Sequence, residues 1–172
     1  MIRVYVVCEG QTEETFIRNV IAPILANQQI YLTARLIPTS KGNKGGALSY
    51  ERVKNFVTRC LKENDVFVTT FFDLYALDKN FPDFELSQKQ NDVYKKVEIL
   101  ETAFKQDIVQ DNSNFSNRFF PYIQPYEFEG LLFSDISQLT DIEPTWIHAT
   151  KSLQEIRNDF ENEMMSQIMV SL

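Results

Sequence analysis

Apolar and β-branched residues run almost unbroken through Ile2-Arg3-Val4-Tyr5-Val6-Val7-Cys8. Such a run predicts a strand buried on both faces, as in a parallel sheet. Glu9-Gly10-Gln11-Thr12 predicts a tight turn. Thr12 is the expected N-cap of the next helix, with Glu13 and Glu14 in a first turn whose dipole favours acids. Phe16, Ile17, Val20, Ile21, Ile24 and Leu25 recur at helical spacing, and Pro23 is expected to kink or end that helix.

Ile30 to Ile37 predicts a second strand, and Pro38 to Gly46 a loop rich in Lys and Gly. A helix follows with Val53, Phe56, Val57, Cys60 and Leu61 on one face. Val66 to Phe72 is the most apolar strand candidate and stops at Asp73. Leu74 to Ser87 has no clear period and reads as a loop. Val93, Val97, Leu100 and Phe104 mark a helix over roughly Gln88 to Ile108. Asp111 to Asn117 reads as another loop. Arg118 to Gln124 predicts a fourth strand near a sheet edge, because Pro121 cannot donate to a ladder. Tyr126 to Phe133 reads as a short helix, followed by a polar tail with one helix around Leu153 to Phe160. This alternation predicts an α/β sandwich with a mostly parallel central sheet of about four strands. It is expected to form one domain over residues 1–172, with 136–172 its least defined part.

Composition narrows the classes. The chain of 172 residues is 44% hydrophobic and 24% charged, ordinary for a globular domain with a real core. Its fourteen Phe and seven Tyr, with Trp146, are expected mainly in that core. No apolar run reaches the roughly 18 residues that span a bilayer, and the start lacks a signal-peptide pattern. Cys8 and Cys60 make no disulfide framework, so a cytoplasmic setting is expected. A net charge of -7 argues against coating nucleic acid by charge alone. It leaves room for a carboxylate site whose bound cation cancels it locally.

Ligands of open parallel sheets bind beyond the carboxyl ends of the strands. Glu9 follows the first strand, Asp73 the third, and Glu127 and Glu129 the fourth. Carboxylates gathered at one edge repel unless a cation joins them. Mg or Mn takes such oxygen ligands and supports phosphodiester hydrolysis. The bland alternative is that these acids cap helices and face water, the preferred reading for Glu14. Asp78, Asp83 and Glu85 lie near Asp73, with Asp78 a candidate extra ligand. Lys41 and Lys44 sit in a cationic loop without phosphate-loop spacing; it either tracks a nucleic-acid backbone or is plain surface. His148, the only histidine, is too isolated for a zinc site or a Ser-His-Asp triad.

Val7-Cys8-Glu9-Gly10-Gln11-Thr12-Glu13 resembles the Glu-Gly-x-Thr-Glu signature of TOPRIM-like nucleases, including the overcoming-lysogenization-defect family. Thr70 to Tyr75, Phe81-Pro82 and Phe120 to Glu129 resemble the domain-of-unknown-function family 4276 (DUF4276). The resemblance runs from about Ile2 to Asp135. It implies a TOPRIM-like (Rossmann-like) fold and a Mg- or Mn-dependent nuclease-like activity with Glu9, Glu13 and Asp73 catalytic. It further implies a nucleic-acid substrate and an AAA-type or ABC-type ATPase partner in bacterial defence. Tyr75 stands where the TOPRIM Asp-x-Asp pair has its second aspartate. The metal ligands are then Glu9, Asp73 and one of Glu127 or Glu129, with Glu127 preferred; otherwise the site holds one metal or none. Lys41 and Lys44 are the nucleic-acid contacts. Asn162 to Leu172 lacks the family's Pro-Ser-Lys-Arg stretch, implying a truncated or altered end. The competing implication is a catalytically silent TOPRIM-like partner protein.

Overall fold

The computed structural model describes residues 1–38, 49–110, 112–126, 136 and 144–159. The chain divides into two compact units, Met1–Tyr126 and Glu127–Leu172. In the first, β1 (Ile2–Cys8), β2 (Ile30–Leu36) and β3 (Phe67–Asp73) join two short strands, β4 (Phe119–Phe120) and β5 (Ile123–Gln124), in a mixed α/β arrangement. The order is β2-β1-β3-β4, with β5 also on β3, and every pairing is parallel. Among the described residues no helix is long and apolar enough to cross a membrane.

Burial follows the pleat. Tyr5, Val7, Val68 and Phe72 belong to the main core, which also holds α3 (Tyr50–Leu61) and α5 (Val93–Gln110). Val6, Cys8 and Phe71, one residue out of phase, are buried outside that cluster. Strands covered on both faces need the near-continuous apolar runs the sequence shows. In α3 the stripe Val53, Val57, Cys60 and Leu61 is buried, with Phe56 packed against it.

Four local features differ from the periodic reading. The first helix starts at Gln11 with Gly10, rather than Thr12, at the N-cap. It runs as α1 (Gln11–Phe16), a π-helical turn (Ile17–Ile21) and α2 (Ala22–Ala26). Pro23 lies in the first turn of α2, and the wider turn before it absorbs the amide that proline lacks, so the helix continues. After β3, Leu74–Ala76 forms a 3-10 turn and Phe84–Ser87 a short helix, α4, where a loop is expected. This segment is core: Leu74, Leu77, Phe81 and Ser87 are buried, and the Phe81 ring packs edge-on against Tyr50 and Phe104. α5 begins at Val93 rather than Gln88, because the Asp92 carboxylate accepts from the Tyr94 amide at 2.8 Å and caps it.

The fourth strand is split. Val68 faces Phe119 and Phe72 faces Ile123, one register on both sides of the gap at Pro121. The Thr70 hydroxyl spans it, accepting from the Tyr122 amide at 2.9 Å and donating to the Tyr122 carbonyl at 2.8 Å. A side chain thus replaces the ladder bonds that proline interrupts. Arg118 anchors the start of this strand by donating to the carbonyls of Leu61, Glu63 and Val66. In the second unit a 3-10 stretch (Pro144–Ala149) leads into α6 (Thr150–Asp159).

Candidate active site

The parallel register brings the carboxyl ends of three strands to one edge. Cys8 faces both Leu36 and Phe71, so Glu9 emerges beside the last residues of β3. Asp73 ends β3 and faces Gln124 of β5. The turn at Glu9-Gly10 returns the chain into α1, which carries Glu13 in its first turn. Gly10 lies close to Glu13: a Cβ there would sit 2.7 Å from Glu13 Oε2. The glycine of the Glu-Gly-x-Thr-Glu pattern therefore makes room for its second glutamate.

Glu9, Glu13 and Asp73 are all only partly exposed. The Glu9 carboxyl is pushed up to about 7, first by burial, then by the negative charges of Asp73 and Glu13. The three acids thus share one electrostatic neighbourhood. Glu13 Oε2 is buried and has no hydrogen-bond partner. Burial, then Glu13 and Glu14, push the Cys8 thiol up to about 12, so it stays protonated at neutral pH.

The donors are hard carboxylate oxygens, one of them buried and unsatisfied, which suits Mg or Mn chemically. Among the described residues no group of three or more His, Cys, Asp or Glu is placed to hold a metal ion. They offer fewer than three direct ligands, compatible with Mg, which keeps several waters and takes one or two carboxylates. Glu127 and Glu129, and the nucleic-acid candidates Lys41 and Lys44, lie outside the described residues.

Other candidates have local duties. Asp78 closes a turn, accepting from the Asn80 amide at 2.7 Å. Asp83 and Glu85 are exposed at the start of α4. Tyr75 is 65% exposed. Trp146, expected in the core, is 47% exposed, and His148 is exposed beside it.

Three residues at this edge escape a search for acids after strands. Phe16, Phe71 and Tyr122 form a run of stacked rings, 6.3 Å and 5.7 Å between centroids. The Tyr122 hydroxyl donates to Gln124 Oε1 at 2.6 Å. It is pushed up to about 12 by burial, then by Glu101, Tyr94 and Asp73, and stays protonated. Glu101 accepts from the Ile123 amide at 2.8 Å, occupying a donor of the sheet's edge strand; burial raises its pKa against the pull of that amide. Gln124 is buried, and a glutamine closing an apolar strand is the one sequence signal that marks it.

Gly10→Ala tests the packing of the turn. The clash falls on the free end of a flexible side chain, so the protein is expected to fold, with a loss of about 1 kcal/mol or less at the cap. The Glu13 carboxylate is displaced, and the Glu9 midpoint should fall as that charge moves off. Carbon-13 NMR titration of Glu9 measures this; an unchanged midpoint would show that Glu13 stays in place.

No curated protein and no solved structure matches the chain. A family model described as a domain of unknown function (DUF4276) matches residues 8–163, most of the chain, and the protein belongs to that family.

Proposed function

We propose that this edge is the active site of a Mg- or Mn-dependent, nuclease-like phosphodiester hydrolase with a TOPRIM-like fold. One observation carries the reading. Glu9 follows β1 and Asp73 ends β3, its parallel neighbour, and repulsion from Asp73 and Glu13 helps raise Glu9 to about 7. A protein gains nothing in stability from such crowding, and perturbed carboxylates at a strand edge favour a functional site. A bound divalent cation would supply charge neutralisation and an acidified water. Glu9 and Asp73 would hold it, and Glu127 is the ligand offered by sequence.

This chain's own residues have separable tasks. Asp73 is the oxygen donor at the end of β3. Without the cation Glu9 is divided between its two forms near neutral pH; beside a bound cation it would be ionised, an oxygen donor placed to take a proton from water. Glu13 presents its buried oxygen toward the same neighbourhood. The reading includes a cytoplasmic setting, a nucleic-acid substrate contacted by Lys41 and Lys44, and an ATPase partner in defence. The substrate class and the ATPase partner rest on sequence resemblance, the cytoplasmic setting on cysteine usage, and the lysine contacts on the charge of their loop.

The test is cleavage of single- and double-stranded DNA and RNA by the purified chain with Mn, with Mg and with EDTA, beside Asp73→Asn. Metal-dependent cleavage that falls on the order of 10²-fold or more in the variant is expected. Equal cleavage by both proteins would place the activity elsewhere. A second reading, a catalytically silent TOPRIM-like partner, is favoured by the exposed phenol of Tyr75 at the second acid position and by the small number of described ligands. Absence of cleavage by the wild type with either metal would select it.

A further inference from the structure

We infer that Gln124 is a substrate-binding residue of this site, its Nε2 donating a hydrogen bond to a non-bridging oxygen of a phosphate held beside Asp73. The inference rests on the hydrolase reading for its setting and on three observations of its own.

The first is burial without satisfaction. Gln124 is 2% exposed, yet its Nε2 has no hydrogen-bond partner. Buried amide donors are ordinarily paired, and one left open in a well-packed strand calls for a missing acceptor. The second is orientation. The Tyr122 hydroxyl donates to Gln124 Oε1 at 2.6 Å, which fixes the amide with its NH2 turned away from the tyrosine. Tyr122 is itself held, its ring stacked on Phe71 and its backbone tied on both sides to Thr70. The third is place. Gln124 faces Asp73 in the parallel register, so both side chains leave the same face of the sheet at its carboxyl edge.

The site then holds two buried, open polar atoms of opposite kind. Glu13 Oε2 is an acceptor that invites a cation, and Gln124 Nε2 is a donor that invites an anion. A phosphate oxygen beside a divalent cation answers both. A carboxylate-only edge repels a phosphodiester, and a neutral donor fixed opposite Asp73 attracts the substrate without titrating.

Nitrogen-15 NMR of the side-chain amides tests this in the full chain. The Gln124 pair is assigned by its absence from Gln124→Met, and the probe is inorganic phosphate with Mg. Phosphate should shift the wild-type Gln124 amide, and Gln124→Met should bind it about tenfold more weakly. Tyr122→Phe keeps the ring stack but frees the amide to turn, and should also bind more weakly. If the wild type cleaves nucleic acid, Gln124→Met should raise KM more than it lowers kcat. Phosphate shifts at Glu9 and Asp73 with an unmoved Gln124 amide and equal binding by Gln124→Met would overturn the inference. So would failure of the wild type to bind phosphate with either Mg or Mn. Phosphate binding through Gln124 in a protein that cleaves nothing would uphold it while the hydrolase reading fails.

Discussion

Replacing Glu9 by Gln is expected to stabilise the metal-free protein at pH 8 and to make little difference near pH 4.5. The folded-state pKa of Glu9 is raised from 4.5 to about 7. Below 4.5 the carboxyl is protonated in both states and contributes nothing. Between 4.5 and 7 the unfolded chain gives up its proton while the folded one keeps it, so the folded state binds more protons and stability falls as pH rises. Above 7 the whole penalty is present. Taken at face value the shift corresponds to about 3 kcal/mol. Glu9 is partly exposed, and screening by water reduces this to about 2 kcal/mol. For a chain of this size the melting temperature of Glu9→Gln should then exceed the wild type by about 4–8 °C at pH 8 in EDTA. The gap should close as pH falls, and also when Mn is added to the wild type, because a bound cation removes the repulsion that the variant removes. Identical melting of the two proteins from pH 5 to pH 8 would show that Glu9 is not held among Asp73 and Glu13 as described. Loss of stability at pH 8 would show that its charge is structural.

The stability gain and the proposed loss of activity arise from one cause. A fold selected for stability alone would not gather three carboxylates where strands end, so a variant that melts higher and works less marks a site held at a cost. Asp73→Asn removes the stronger of the two repulsions on Glu9 and should lower its midpoint in the same NMR titration.

Much of the fold is legible because burial on two faces leaves a simple mark. β1 and β3 are continuous apolar runs, and α3 shows a clean helical stripe; all three appear where the pattern places them. Leu74–Ser87 escapes a periodic reading because its buried residues lie on a 3-10 turn, an Asx turn and a single helical turn in succession. Each has its own spacing, so Leu74, Leu77 and Phe81 share a core without sharing a period. The start of α5 is displaced for a related reason. Gln88 is the C-cap of α4, and the apolar spacing does not distinguish that turn from the first turn of the next helix until Asp92 caps it.

In the site, Glu9 and Asp73 are legible because a polar residue ending a buried strand is conspicuous. Glu13 is legible only through the family signature, and its geometric reason, the space over Gly10, needs coordinates. Gln124 and Tyr122 depend on register. Nothing in Phe120-Pro121-Tyr122-Ile123-Gln124 announces that Pro121 only interrupts the strand, that Thr70 restores it, or that Gln124 therefore reaches the level of Asp73. Long-range pairing carries this information, and a short segment holds no trace of it.

That dependence on β3 leads to the largest expected effect, for Val68→Asp. Val68 is 0% exposed, and it faces Tyr5 on one side and Phe119 on the other. Its amide donates to the Arg118 carbonyl at 2.7 Å, and its side chain lies in the main core with Val7, Val57 and Phe104. Among the described residues the core holds no cation to pair with an aspartate there. It must be buried charged, or be protonated and buried as an unpaired acid, and either costs several kcal/mol on top of the lost apolar contacts. That is comparable to the whole stability of a typical domain, about 5–15 kcal/mol. Val68→Asp is therefore expected to leave no cooperative melting transition. Ile2→Asp is the control: it places the same residue at the 45% exposed start of the neighbouring strand and should fold with a loss of about 1 kcal/mol. Circular dichroism melting of the two variants decides the matter. A cooperative transition for Val68→Asp close to that of Ile2→Asp would mean that β3 is not the central strand, and the edge on which Glu9, Asp73 and Gln124 meet would go with it.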